Sequence, residues 1–182
     1  MSERNAHTHV TKDVMKYVEL ERHLQSAFEG FSPVYVIGGA DAYLRQSACA
    51  MFKGLVSPEY ADFNLSIISH GQGMSSVVDA LSLYPVFDDV KVVVVPDVPD
   101  KISDQDKNLI LSYMKEPNPQ AILVLVGDTK SVTDFAKEGK LTYIDCGKLD
   151  ENAIAMEVDK LLSVPPKKTI EKSALRALVE KT

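Results

Sequence analysis

The stretch VKVVVV, residues 90–95, is the part of the sequence that decides the fold class. It is a short and nearly unbroken apolar run, and AILVLV at 121–126 is a second one. Such runs are typical of central strands in a parallel sheet that helices cover on both faces. Three more apolar stretches predict three further strands: PVYVI at 33–37, DFNLSIIS at 62–69 and LTYIDC at 141–146.

Segments with helical spacing of apolar residues alternate with these five strands. The first predicted helix begins at Thr11 and ends near Gly30, and the later ones begin at Asp41, Met74, Ser103 and Asp150. Regular alternation of strand and helix is typical of α/β proteins with right-handed crossovers. The sequence therefore predicts an α/β fold with a five-stranded, mainly parallel sheet flanked by helices.

The chain is expected to divide into four segments. TIEKSALRALVEKT, at the end, is one amphipathic helix that cannot bury its own apolar face, so it predicts the start of a second domain. SVPPKK, before it, has the composition of a linker. The expected segments are a disordered N-terminus at 1–10, the α/β domain at 11–162, the linker at 163–168 and a truncated helical domain at 169–182.

Composition limits the classes of protein to which the chain can belong. Of its 182 residues, 45% are hydrophobic and 25% are charged, which is typical of a soluble protein with a substantial core. No apolar run reaches the roughly 18–20 residues that span a bilayer, and Cys49 and Cys146 suggest no disulfide framework. The net charge of −6 argues against a free-standing nucleic-acid binder. A cytoplasmic location is therefore expected.

A glycine turn follows the first predicted strand, in VYVIGGADAYLRQSA at 34–48. Nucleotide-binding α/β proteins carry their phosphate loop at this position, because backbone N–H groups and a helix N-terminus favour phosphate. A working loop also needs a lysine and a Ser or Thr at the start of the helix, and neither stands there after Gly38, Gly39 and Asp41. Asp41 instead places a negative charge where the phosphate would bind. We therefore expect a tight turn capped by Asp41.

Asp97 lies just after the end of the strand at 90–95 and is a second candidate for chemistry. With Asp100 and Asp128, which also follow central strands, it resembles an acid that holds magnesium or accepts a phosphoryl group. This leaves two alternative functions open: a nucleotide-dependent phosphotransferase and a receiver-like signalling domain. A receiver domain should have an acidic pocket at the end of its first strand, and Asp41 is the sole acid available there.

The histidines do not form a recognisable site. His7 and His9 lie in the polar N-terminus, His23 on the first helix and His70 at the end of a strand. No Ser–His–Asp or Cys–His arrangement stands out. The sequence predicts no catalytic residue, no metal site and no cofactor, and we expect the chain not to be an enzyme.

ALSLYPVFDD at 80–89 is the remaining candidate, as an interaction site. Leu81 follows Val77 and Val78 at helical spacing and should be buried, whereas Leu83 points about 200° away from it. Tyr84 precedes a proline, where the helix must end. An aliphatic and an aromatic residue on such a turn are typical of anchors that fill a pocket on a partner protein. The turn lies at the amino end of strand 90–95, at the opposite sheet edge from the glycine turn.

Four segments together resemble the delta subunit of bacterial DNA polymerase III, the clamp-loader subunit that opens the sliding clamp. The resemblance begins near Ser32 and extends to the end of the chain. The matching segments, in order, are VYVIGGADAYLRQSA, ALSLYPVFDDVKVVVVPDVP, LILSYMKEPNPQAILVLVGDTK and LTYIDCGKLDENAIAMEVDKLL. The resemblance implies an AAA+ fold whose nucleotide site has degenerated, with Gly38, Gly39 and Asp41 at the positions of that site.

The resemblance also implies a function and the residues that carry it. A delta subunit binds the sliding clamp, the beta subunit, and helps open the ring during DNA replication, without catalysis of its own. Leu83 and Tyr84 match the residues that enter a hydrophobic pocket of the clamp, Leu81 supports them, and we assign Phe87 to the same surface.

The chain departs from the family pattern in two ways. Tyr84 replaces the more usual phenylalanine and adds a hydroxyl that needs water or a hydrogen-bond partner. The C-terminal collar through which delta subunits join the other loader subunits is also not found in the sequence. We therefore expect a monomeric fragment that binds the clamp, contacts DNA only indirectly and has no membrane partner.

Overall fold

The computed structural model describes residues 13–26, 30–99, 101–127, 141–163 and 170–179. It divides into two compact units, at residues 1–146 and 147–182. The predicted segment at 1–10 lies outside the described residues, as does all of the predicted linker except Ser163. The division after Cys146 places the helix at 151–163 in the second unit, whereas the predicted α/β domain extends to residue 162.

Six parallel strands form one sheet in the first unit, in the order β1-β6-β2-β5-β4-β3. The strands are β1 (Asp13–Lys16), β2 (Val34–Gly38), β3 (Leu65–Ile67), β4 (Lys91–Val95), β5 (Ala121–Val126) and β6 (Thr142–Asp145). The described α-helices of this unit are α1 (Tyr17–Leu24), α2 (Ala42–Lys53), α3 (Ala61–Asn64), α4 (Met74–Leu81) and α5 (Asp104–Tyr113). The predicted α/β class with a parallel sheet flanked by helices is confirmed.

The central strands occupy the middle of the sheet, as their composition predicts. Strand β4 pairs with β5 from Lys91↔Ala121 to Val95↔Leu125, and β5 pairs in turn with β2. Every residue of these three strands is buried. Strands covered on both faces have no polar face to show, which is why their sequences do not alternate.

Helices pack on both faces of the sheet. Alternate strand residues, among them Val93 and Leu123, form the main hydrophobic core with Val77 of α4 and Ile110 of α5. In β2, Val34 and Val36 belong to this core. Tyr35 lies between them in the sequence, and its ring centroid is 4.6 Å from that of Phe52 in α2. Each fully buried aliphatic or aromatic side chain of this kind contributes about 1.5–3 kcal/mol to folding. The core therefore fixes where each strand ends, and with it the positions of the connecting turns.

The sixth strand corrects the predicted strand count and the predicted first helix. Residues 13–16 pair in parallel with β6, from Asp13↔Thr142 to Lys16↔Asp145, instead of forming the first turn of a helix. Backbone groups along the free edge of β6 need partners, and this segment supplies them. Helix α1 starts at Tyr17 and ends at Leu24, so Gly30 does not cap it. Thr11 and Phe28 of the predicted helix lie outside the described residues.

The predicted strand at 62–69 is shorter than expected. Residues 61–64 form the short helix α3, and Leu65–Ile67 alone form β3 at the edge of the sheet. The side chain of Asn64 is fully buried and is bonded to the backbone of Val86. That tertiary contact holds the chain in a turn where the alternation of apolar residues predicts an extended strand.

The second unit contains two described helices, α6 (Glu151–Ser163) and α7 (Lys172–Val179), which contact each other. Asp150 begins α6, and its carboxylate accepts a hydrogen bond from the backbone N–H of Ala153 at 2.8 Å. None of the described helices of either unit is both long and apolar enough to cross a lipid bilayer.

Candidate functional site

The connection from α4 to β4, residues 82–89, presents apolar side chains to solvent at the amino end of β4. Leu83 is 60% exposed, Tyr84 is 66% exposed and Phe87 is 83% exposed. Leu81 is fully buried in the core, so it can support this turn from beneath but has no surface of its own to offer. Such large exposures are uncommon for adjacent apolar side chains, and they mark candidate interaction sites.

Helix α4 ends where the apolar pair begins. Ser82 caps it, and its backbone N–H donates to the carbonyls of Val78 at 3.0 Å and Asp79 at 3.2 Å. The N–H of Leu83 donates to Ala80 at 3.4 Å. Pro85 cannot continue the helix because it has no N–H to donate. The last helical turn therefore directs Leu81 into the core and Leu83 away from it.

Two asparagines hold the turn from opposite sides. The side-chain amide of Asn118 donates to the carbonyl of Leu81 at 3.0 Å and to that of Leu83 at 3.2 Å, which satisfies acceptors that the end of α4 leaves open. Asn64 makes two bonds to Val86: its amide donates to the carbonyl at 2.8 Å, and its oxygen accepts from the N–H at 2.7 Å. The backbone of the turn is therefore anchored while its side chains remain outside.

Asp88 closes the far end of the turn. Its carboxylate accepts hydrogen bonds from the backbone N–H of Ser57 at 2.8 Å and from that of Asp89 at 3.0 Å. Carboxylate–amide bonds of this kind are stronger than neutral ones. The turn is thus tied to the α2–α3 connection as well as to α3 and to the loop before β5.

Phe87 has a strained backbone. Its φ of 56° lies in the left-handed region, which costs a residue with a side chain roughly 1–2 kcal/mol relative to its preferred conformations. Its ring lies 5.7 Å from the ring of Tyr60 and is otherwise in solvent. Burial does not offset this strain, and strain retained at an exposed position is typical of functional sites.

The glycine turn lies at the opposite edge of the sheet, at the carboxyl end of β2. Gly38 ends the strand, and Gly39 has a φ of 134°, which side chains rarely allow. The carboxylate of Asp41 caps α2 by accepting from the N–H of Leu44 at 3.0 Å. The guanidinium of Arg45 donates to the carbonyl of Gly39. The helix N-terminus that could attract a phosphate therefore already holds a carboxylate.

Cys146 lies against the glycine turn, where its carbonyl accepts from the N–H of Asp41 at 3.1 Å. Burial, together with the charges of Asp145 and Asp41, raises the pKa of the Cys146 thiol to about 12. The thiol is therefore protonated at neutral pH and is not a nucleophile there.

Asp97 stabilises the carboxyl end of β4. Its carboxylate accepts from the hydroxyl of Ser69 at 2.6 Å and from the backbone N–H of His70 at 3.0 Å. These hydrogen bonds lower the pKa of Asp97, and the bond from Ser69 has the larger effect. Asp100 and Asp128, the other acids of the predicted magnesium or phospho-acceptor site, lie outside the described residues.

The described residues contain no group of three or more His, Cys, Asp or Glu side chains that could hold a metal ion. The Nε2 atom of His70 lies 3.7 Å from the carboxylate of Asp106. The Nε2 atom of His23 lies 2.7 Å from the hydroxyl oxygen of Tyr35. His7 and His9 lie outside the described residues.

The sequence interpretation missed the two asparagines that hold the turn at 82–89. Asn118 lies between Pro117 and Pro119, and this proline-flanked asparagine is the local signal for a fixed loop. Asn64 carries no such signal, because it is a polar residue inside an apolar stretch, and its contact with Val86 joins positions 22 residues apart.

No protein-family model matches this chain, and no curated protein sequence matches it either. Solved structures do resemble it. The clamp loader delta protein of Bacillus subtilis has a TM-score of 0.63 and 18% sequence identity, over 91% of this chain and 56% of that one. A DNA polymerase III gamma subunit-related protein from Thermotoga maritima has a TM-score of 0.53 and 18% identity, over 88% of this chain and 56% of the other.

These similarities concern the fold, because both identities are low. The chain spans 56% of the length of each of these structures. The resemblance inferred from the four sequence segments is thereby confirmed at the level of structure, since a clamp loader delta protein shares the architecture over nearly the whole chain. The chain therefore shares its α/β fold with the clamp loader delta protein of B. subtilis and with the gamma subunit-related protein of T. maritima.

Proposed function

We propose that the chain is a non-catalytic clamp-loader subunit of the delta type, which binds the DNA sliding clamp and helps open it during DNA replication. The observation that carries this proposal is the turn at 82–89. Leu83, Tyr84 and Phe87 are exposed there on a backbone that Asn64 and Asn118 hold in place. A fixed turn loses little conformational entropy on binding, so its apolar side chains can contribute most of their burial to affinity.

In this proposal Leu83 and Tyr84 enter an apolar pocket of the clamp and Leu81 supports them from the core. The exposed hydroxyl of Tyr84 lies at the rim of the pocket, where water can solvate it. Phe87 lies beside them on the same turn. The proposal extends to assembly with the other loader subunits through a C-terminal region, to contact with DNA only through the assembled complex, and to a cytoplasmic location.

The proposal also includes a degenerate nucleotide site at Gly38, Gly39 and Asp41. The Asp41 carboxylate caps α2 at the point where a nucleotide phosphate would approach, so like charges would repel. The hydrogen bonds of Asp97 to Ser69 and His70 favour a structural role for that acid over a phosphotransfer role. No specific observation favours the phosphotransferase or receiver-like alternatives.

Calorimetric titration of the chain into a bacterial sliding clamp, such as that of Bacillus subtilis, tests the proposal. We expect wild-type binding and, for the Leu83→Ala/Tyr84→Ala variant, a loss of affinity of at least several hundredfold, since two anchors each contribute about 2 kcal/mol or more. A matched control is Val14→Ala/Val18→Ala, which removes two exposed apolar side chains, one in the edge strand β1 and one in helix α1.

Unfolding in urea shows whether each variant is folded before the titration. Equal affinities of the wild type and the Leu83→Ala/Tyr84→Ala variant would remove the turn from the interface. Absence of wild-type binding to the clamp would overturn the proposed function itself.

A further inference from the structure

A second group of aromatic side chains lies beside the turn at 82–89. Phe63, in α3, is 59% exposed, and Tyr60 precedes it by three residues. The ring of Tyr60 contacts that of Phe87 at 5.7 Å. Asn64 follows Phe63 directly and is bonded to Val86, which precedes Phe87. Phe63 and Phe87 are therefore each one residue away from the same pair of hydrogen bonds.

The backbone at Phe63 is held although its ring is in solvent. The carbonyl of Phe63 accepts a hydrogen bond from the Nζ of Lys91 at 2.7 Å. Lys91 is itself buried at the start of β4, and this burial lowers the pKa of its amine. Two buried polar side chains, Asn64 and Lys91, thus anchor the segment that carries an exposed phenylalanine. An exposed ring on a fixed backbone adds little to folding but is well prepared for binding.

Acidic residues are neighbours of these aromatic residues in the sequence. Glu59 directly precedes Tyr60, Asp62 directly precedes Phe63, and Asp89 follows Phe87 by two residues; all three are exposed residues. Lys91, whose amine donates to the carbonyl of Phe63, is buried. We call Glu59, Asp62 and Asp89 the acidic rim. A surface with an apolar centre and a rim of one charge favours a partner of the opposite charge, both in encounter rate and in orientation.

We propose that Phe63 and Phe87 form a second anchor, which enters an apolar site on the sliding clamp next to the pocket for Leu83 and Tyr84, and that Lys or Arg side chains of the clamp border this site. The inference rests on the proposed function, because it assigns the same partner to an enlarged surface. One partner is favoured because the hydrogen bonds between Asn64 and Val86 join α3 directly to the turn.

The experiment measures association and dissociation rates of the B. subtilis clamp by interferometry at low and at moderate salt, for the full chain and its variants. Phe63→Ser tests the second anchor, with Ile67→Ser as its control, because Ile67 is a similarly exposed apolar residue on β3. Asp62→Lys tests the acidic rim. Asp159→Lys, at an exposed position of α6 in the second unit, is its control with the same change of net charge.

We expect Phe63→Ser to raise Kd about tenfold, mainly through faster dissociation, since one anchor residue contributes at least about 1.4 kcal/mol. Asp62→Lys should slow association several-fold at low salt, with a smaller effect at moderate salt. Both controls should bind like the wild type, and thermal unfolding should show all four variants folded.

Binding of Phe63→Ser and Asp62→Lys at the rates of their controls, while Leu83→Ala/Tyr84→Ala loses affinity, would overturn the second anchor and leave the proposed function intact. Faster association of Asp62→Lys would also overturn it, because it would show an acidic border on the clamp. Absence of wild-type binding would overturn both inferences together.

Discussion

The glycine turn and the turn at 82–89 lie at opposite ends of the parallel strands. Hydrogen bonds from side chains hold both turns, but with different results. At the carboxyl edge, the glycine turn engages its own polar groups: Asp41 caps α2, and Arg45 donates to Gly39. At the amino edge, the turn at 82–89 is held by side chains from elsewhere in the chain, Asn64 and Asn118. The first turn closes a site, and the second exposes one.

The comparison shows that a site can be recognised by what its stabilising contacts leave outside. Strain at Gly39 is relieved because glycine has no Cβ, whereas strain at Phe87 persists with an aromatic ring in solvent. Fold stability alone explains the first turn. It does not explain the second, and four measurements can break or sharpen this contrast.

Leu81→Ala should have the largest effect on stability. Leu81 is fully buried, so its truncation leaves a cavity and should lower the free energy of unfolding by about 2–5 kcal/mol. Leu83→Ala, two residues along, should change it by less than about 0.5 kcal/mol, because Leu83 is exposed. Urea denaturation of both variants measures the difference. Equal losses would show that Leu83 also packs in the core in solution.

Asn64→Ala should have the second-largest effect on stability. It should lower the free energy of unfolding by about 2 kcal/mol, because it removes two hydrogen bonds of a fully buried side chain. It should also weaken clamp binding, since the backbone at Val86 would no longer be held. The matched control is Asn152→Ala, at an exposed position in α6. A variant with reduced stability but wild-type clamp affinity would show that Asn64 serves the fold and not the exposed turn.

Asp41→Ala should lower the free energy of unfolding by about 1 kcal/mol through the loss of the α2 cap. Its clamp affinity should match that of the wild type, because the glycine turn lies at the other edge of the sheet. Magnesium and ATP should not raise the melting temperature of the wild-type chain. A rise that depends on both would restore the glycine turn as a nucleotide site.

Phe87→Gly should have the smallest effect on stability. The sign of its change in the free energy of unfolding shows whether the strain at Phe87 costs stability. Glycine relieves the left-handed strain but makes the unfolded chain more flexible, so we expect no loss and a gain of up to about 1 kcal/mol. Clamp affinity should fall. Phe87→Ala provides the comparison, because it removes the ring and keeps the strain. Destabilisation by Phe87→Gly would mean that the contact with Tyr60 supports the fold.

Much of the architecture was predictable because it depends on short-range patterns. The runs at 90–95 and 121–126 predict buried parallel strands, and both form them. Asp41 and Ser103 predict helix starts, and each caps its helix by a hydrogen bond to a residue three positions later. A buried strand is predictable because an unbroken apolar run reflects the burial of both its faces. A helix start is predictable because its cap depends on one local hydrogen bond.

Strand β1 was not predictable because its partner is distant in sequence. Residues 13–16 are exposed or partly exposed, and Tyr17 and Leu20 of the following helix carry most of the burial, so the local pattern favours helix throughout. Pairing with β6, about 130 residues later, decides the outcome by satisfying the backbone groups of both segments.

The amino-acid sequence by itself determined the α/β class, the order of the central elements, the residues that cap the starts of α2, α5 and α6, and the outward direction of Leu83 that follows from its angle to Leu81. Only the tertiary structure decided that the turn at 82–89 is held from both sides, that Phe87 keeps a strained backbone in solvent, and that the residue after Phe63 bonds to this turn. The physical reason is range. Helical angles and strand composition act between neighbours, whereas the amides of Asn64 and Asn118 act across 22 to 37 residues and require the sheet to bring them into place.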